Sequence, residues 1–140
     1  MVTAKEYLNK IKDLDELIEA HMGDLRRIRS QAYTLPSPGF NERHSSGRPS
    51  SAPFEKNVIH ICDVEAQIND EIEELVALRV DISQRISTLE NTQEKLVLQY
   101  RYVNSMSWKE VSARMSISER KAQRIHGSAL QHFPVPEDEE

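Results

Sequence analysis

The sequence predicts an all-α protein: a long antiparallel helical hairpin, a coiled-coil arm, followed by a compact tri-helical helix-turn-helix domain. Three observations predict it. Apolar residues recur at strict seven-residue spacing in two long stretches; a proline- and serine-rich segment separates those stretches; and the residues after Glu90 switch to short amphipathic runs, the last two of them opened by a capping serine. The 140 residues divide accordingly into a hairpin over 1–90, with its loop at 34–53, a helix-turn-helix domain over 91–133 and an acidic tail over 134–140.

The first long helix runs from about Thr3 to Ala32. Ala4, Ile11, Ile18, Leu25 and Ala32 hold the repeat, and Tyr7, Leu14, His21 and Ile28 fill the second heptad position. Thr3 followed by Glu6 has the spacing of a reciprocal capping box. Leu8 and Met22 widen the stripe, which suits a helix with more than one neighbour.

Residues 34–53 contain four prolines and two glycines and carry no periodic apolar face, so they read as a mobile linker, with Phe40, Arg43 and Arg48 available for contacts. From Phe54 to Glu90, the residues Phe54, Ile61, Ile68, Leu75, Ile82 and Leu89 resume the seven-residue repeat, joined by Val64, Ile72, Leu78 and Ile86. A helix this long, roughly 55 Å, cannot bury such a stripe alone. It pairs with the first helix of its own chain, with a second chain in a homodimer, or with both in a dimeric bundle.

After Glu90 the heptads stop. Leu96, Val97, Tyr100 and Val103 form a shorter helix ending near Asn104 and Ser105; Ser107, with Glu110 three residues on, caps the next, and Ser118 caps the last, which runs to about Phe133 before Pro134 and Pro136. Val111, Met115, Ile117, Ala122 and Ile125 are spaced to close the last two helices on each other, with small Ser112 at the crossing.

Charge is segregated along the chain. Residues 1–94 carry eleven basic and seventeen acidic side chains, residues 95–133 seven basic and two acidic, and the tail adds four acids, for a net charge of −5. A positive module beside a negative arm fits a protein that binds polyanions at one place and repels them elsewhere. On the last helix Arg120, Gln123 and Arg124, with the small Gly127, face away from Ala122, Ile125 and Ala129. A helix laid in a major groove presents such a face, which makes double-stranded DNA the expected partner. Arg124 and Gln123 are the expected base readers, Arg120 serves either role, and Lys109, Arg114 and Lys121 are expected to meet phosphates. Ser118 and Glu119 sit at the helix start, where Glu119 accepts from a cytosine amino group or favours the helix dipole. Trp108 is expected to pack between helices, because duplex recognition leaves the bases stacked.

The run from Ser107 to Phe133, with Leu96-Val97-Leu98-Gln99-Tyr100-Arg101-Tyr102 ahead of it, resembles the fourth conserved region of bacterial sigma factors. The whole chain is similar to small phage-encoded regulators of the ArpU and RinA type. That resemblance implies a sequence-specific regulator of phage or mobile-element genes, an activator that contacts bacterial RNA polymerase, with Glu119, Arg120, Gln123 and Arg124 facing DNA and Lys109 and Arg114 near phosphates. Two departures stand out: Ser116 replaces the glycine common in the turn, and nothing resembles the sigma segment that melts promoter DNA, so a complete sigma factor is not expected. The alternative is the DNA-recognition subunit of a phage packaging machine, a small-terminase-like protein.

Other chemistries find little purchase. The single cysteine, Cys62, permits no intramolecular disulfide, and its spacing from His60 does not suit two ligands of one metal on a helix. The other histidines are scattered, no grouping suits nucleophilic catalysis, and Asp70, Glu71, Glu73 and Glu74 read as a solvated face. No enzyme activity, metal or cofactor is expected. With no membrane-length apolar run and no secretory signal, the expected place is the cytoplasm of a bacterial host cell.

Overall fold

A computed structural model describes residues 2–33 and 51–137. All regular structure among them is helical: α1, Ala4–Tyr33; α2, Ser51–Ser87; α3, Thr92–Leu98, continued by a π-helical turn, Gln99–Val103; α4, Trp108–Met115; and α5, Glu119–His132. The expected loop at 34–53 lies outside the described residues except for its end, where α2 begins at Ser51. Proline in the first turn of a helix is tolerated, since its missing N–H would have no partner there in any case.

The packing divides into two units, Met1–Glu16 with Glu73–Glu140, and Leu17–Ile72. In the second, α1 and α2 run antiparallel within one chain. Ile18, Leu25, Ile61 and Ile68 are buried at their heptad positions. The His21 Nδ1 donates to the Glu71 carboxylate at 2.6 Å, and the Arg29 guanidinium pairs with Glu65. Glu71, expected on a solvated face, is instead 7% exposed and part of this seam. Ile72, expected in the stripe, lies 41% exposed, and so does Phe54 at 51%. Phe54 is turned out because a straight α-helix drifts by about 20° per heptad against a strict seven-residue repeat, so one end of a long stripe rotates out of the seam. Ile72, four residues past the buried Ile68, is turned out because Glu71, three residues past it, takes the seam position.

In the first unit, α1 and α2 are again antiparallel, with Arg79 Nη2 donating to Asp15 at 3.1 Å. Thr3 and Glu6 form the expected capping box, each backbone N–H meeting the other's side chain at 3.2 Å. Here the long helices do not stop at a two-helix seam. Ala4, Tyr7, Leu8 and Ile11 of α1 and Ile82, Ile86 and Leu89 of α2 and its C-terminal end are buried together with Val97, Leu98, Tyr102, Val111, Ala122, Ala129 and Phe133. The Tyr7 ring lies 6.3 Å from that of Phe133, and Arg85 Nη1 donates to the Pro134 carbonyl at 2.9 Å. The Tyr7 hydroxyl donates to Asp81; burial and that acceptor push its pKa up to about 12. The same bond, with Arg85 in support, holds the Asp81 carboxyl below its ordinary range.

Candidate nucleic-acid interface

Each helix of the C-terminal module starts on a side-chain cap. Asn91 Oδ1 accepts from the Glu94 N–H at 3.2 Å, Ser107 Oγ from that of Glu110 at 3.2 Å, and Ser118 Oγ from that of Lys121 at 3.1 Å. The two serine caps match the sequence expectation, whereas Asn91 was not anticipated as a cap. Between α4 and α5 the chain reverses at Ser116, whose φ of 57° and ψ of 43° are left-handed. The Ser116 N–H bonds the Ala113 carbonyl at 3.3 Å and the Ile117 N–H reaches back to Ser112 at 3.0 Å, so the exposed carbonyls of α4 are satisfied in a Schellman-type turn. Serine occupies the conformation that glycine adopts most cheaply.

This turn sets α5 against α4 around Val111 and Ala122, both fully buried, with Met115, Ile117 and Ile125 half-buried around them. Ser112 is 8% exposed at the expected crossing and its hydroxyl donates to the Lys109 carbonyl at 2.9 Å. The opposite side of α5 faces solvent: Glu119, Arg120, Lys121, Gln123, Arg124 and Gly127 are all exposed, as are Ser118 at the cap and Lys109 and Arg114 on α4. Among the described residues, Lys109, Arg120, Lys121 and Arg124 make no ion pair, while Arg114 lies over the Tyr100 ring at 5.9 Å. A row of exposed, uncompensated cations on a helix with a buried alanine back is chemically suited to a polyanion.

Both flanks of α5 are fastened by contacts that sequence reasoning did not reach. On one, the π-helical turn brings the Tyr102 hydroxyl to His126 Nε2 at 2.6 Å and places Arg101 over the Trp108 ring at 4.9 Å. Trp108 meets His126 edge-on at 4.8 Å, in the interhelical role expected of it. Burial, with the fields of Lys5 and Arg101, pushes the His126 pKa down to about 4, so the ring is neutral at pH 7 and accepts from Tyr102. On the other flank Glu94, 5% exposed, takes the Ser128 hydroxyl at 2.7 Å and His132 Nδ1 at 3.0 Å. These bonds, the Ser128 one foremost, hold its carboxyl below the ordinary range. A buried carboxylate on α3 thus clamps the last turn of α5. The capping asparagine three residues before Glu94 was the only sequence signal for this arrangement.

No group of three or more His, Cys, Asp or Glu side chains suited to a metal occurs among the described residues, and no helix there is long and apolar enough to cross a membrane. No curated protein and no solved structure matches the chain. Residues 85–132 match the family described as sigma-70, region 4, so that a sigma-70 region 4 domain, a helix-turn-helix DNA-binding module, is present in the C-terminal part of the chain.

Proposed function

We propose that the protein is a sequence-specific regulator of transcription that lays α5 in the major groove of double-stranded DNA. The observation that carries this reading is the exposed row Arg120, Lys121, Gln123 and Arg124, free of ion pairs among the described residues and set on a helix whose other side is closed by Ala122 and Ala129 inside a sigma-70 region 4 domain. Arg124 and Gln123 read base edges, Arg120 a base or a phosphate, and Lys109, Arg114 and Lys121 hold the backbone. Ser118 and Glu119 present the start of α5 to the groove. The family match favours transcription over DNA packaging, and the resemblance to phage regulators of the ArpU and RinA type supports an activator of phage or mobile-element genes that touches RNA polymerase.

The test begins with selection of bound duplexes from a random pool. Arg124→Ala should then lose about 1–3 kcal/mol on the selected site and little on scrambled DNA. Lys109→Ala should weaken both alike and lower the salt slope by about one. Equal losses on both duplexes for Arg124→Ala would remove it as a base reader, and unchanged binding in both variants would overturn the reading.

A further inference from the structure

One face of α2 is apolar and exposed among the described residues. Phe54 is 51% exposed, Val58 37%, Ile72 41%, Val76 55% and Val80 52%, and Cys62 is exposed too. At 100° per residue these six positions fall on one stripe, roughly a quarter-turn from the face that carries the buried Ile61, Ile68 and Leu75. Glu65 and Asn69 lie on the same stripe, midway along it.

The order of residues on this stripe is palindromic. Glu65 and Asn69 lie two residues either side of Gln67, Cys62 and Ile72 five, Val58 and Val76 nine, and Phe54 and Val80 thirteen. Any helix that packs on the stripe antiparallel must offer apolar groups at both ends and polar ones at the centre. A second copy of α2 supplies that order when turned about a two-fold axis at the level of Gln67, because an isologous contact matches each residue to its mirror position. The two ends then pair Phe54 with Val80 and Val58 with Val76, Cys62 meets Ile72, and Glu65 faces Asn69 of the second copy. Glu65 Oε1 holds Arg29, leaving Oε2 to accept from that asparagine amide. A single polar layer inside an apolar seam is a device that fixes register. The stripe from Phe54 to Val80 spans roughly 40 Å, about four heptads, which is long enough for a sustained helix–helix seam.

We propose that two copies of this protein pair antiparallel through the outer stripe of α2, about an axis at Gln67. The proposal stands on α2 alone and does not depend on how α5 reads DNA.

Cys62 provides the test. Across an antiparallel seam the two native Cys62 side chains sit ten residues apart in level, roughly 15 Å, too far for a disulfide. Ile72→Cys places a thiol opposite Cys62 of the second copy, whereas Cys62 and residue 72 of one helix are themselves too distant to join. Mild oxidation of the full-length Ile72→Cys variant should therefore give a covalent dimer on a non-reducing gel, while wild type and Val76→Cys give little. Wild type at tens of micromolar should sediment at twice the 16.1 kDa chain mass. A Val76→Glu, Val80→Glu double variant, altered only at exposed positions, should sediment as a monomer with an unchanged helical circular dichroism spectrum. A monomeric wild type, a ring of many copies, oxidation of wild type as ready as that of Ile72→Cys, or a double variant that remains dimeric would each overturn the proposal.

Discussion

The same seven-residue repeat runs through both units of the chain, yet it buries side chains to different depths. In the unit formed by Leu17–Ile72, the seam residues Ile18, Leu25, Ile61 and Ile68 retain 6–9% exposure. In the other, Leu8, Ile11, Ile82, Val97, Leu98 and Val111 are fully enclosed. Two helices cannot close around a side chain from every direction. A third layer can, and in the first unit the module of α3, α4 and α5 is that layer. The repeat in the sequence therefore encodes which face is apolar but not how deeply it is buried; depth depends on how many elements meet there.

The largest effect that could break this comparison is a truncation on each side of it. Leu8→Ala removes a fully buried side chain and should cost about 2–5 kcal/mol, whereas Ile68→Ala, in a seam free to relax toward solvent, should cost less than half as much. Urea denaturation of the two variants gives both values. Leu8→Ala should also weaken DNA binding, because Leu8 shares the core that carries α5. Equal costs, or a Leu8→Ala protein of unaltered stability, would mean that the first turns of α1 are not integral to the helix-turn-helix unit.

A smaller effect separates the units by pH. His126 is half-buried in the first unit with a pKa near 4, below the ordinary value of 6.5. The unfolded chain binds the proton first, so the stability contributed by the neutral ring is complete above about pH 6.5 and is lost as pH falls toward 4. Glu94, whose carboxyl is also held low, adds its loss only below the ordinary carboxylate range, near the bottom of that window. The urea midpoint of the first unit should decline between pH 6.5 and 4.5, and His126→Leu should flatten that decline. A wild-type midpoint that is level across this window would show that His126 is not held neutral by its surroundings.

What the sequence conveyed follows from the range of its signals. Caps and apolar spacing are local, so the Thr3–Glu6 box, the Ser107 and Ser118 caps, the α4–α5 closure and the seven-residue positions Ile61, Ile68, Leu75, Ile82 and Leu89 are legible from the residues. The exposure of Arg120, Gln123 and Arg124 followed from the burial of Ala122 and Ala129 behind them. Contacts between residues remote in sequence were not legible: Tyr7 against Phe133, Glu94 against Ser128 and His132, and Glu71 against His21 each join residues 34 or more apart. Glu71 misled because acidic neighbours at 70, 73 and 74 disguise it. The π-helical turn, which positions Tyr102 and Arg101, has no recognisable spacing of its own.

The smallest and sharpest comparison uses one glycine in each unit. Gly23 lies within α1 and Gly127 within α5; an added Cβ would meet only the Arg26 Nη2 at 3.9 Å in the first case and nothing within 4 Å in the second. Both substitutions to alanine should therefore stabilise, by up to about 1 kcal/mol each, since glycine is the weaker helix former by that amount and no clash offsets the gain. Ser116→Gly should stabilise by a similar or smaller amount by relieving the left-handed backbone. The two alanine variants should differ in binding. Gly23 belongs to the unit that does not contain α5, and Gly23→Ala should bind the selected duplex as wild type does. Gly127 shares the outward side of α5 with Arg120 and Arg124, where glycine admits a close approach of the duplex at the expense of helix stability. Gly127→Ala should thus raise the unfolding midpoint while lowering affinity for the selected site. If it raised both, the groove would not come close to α5 at this residue, and the DNA face would have to be rotated toward Lys121 and away from Gly127.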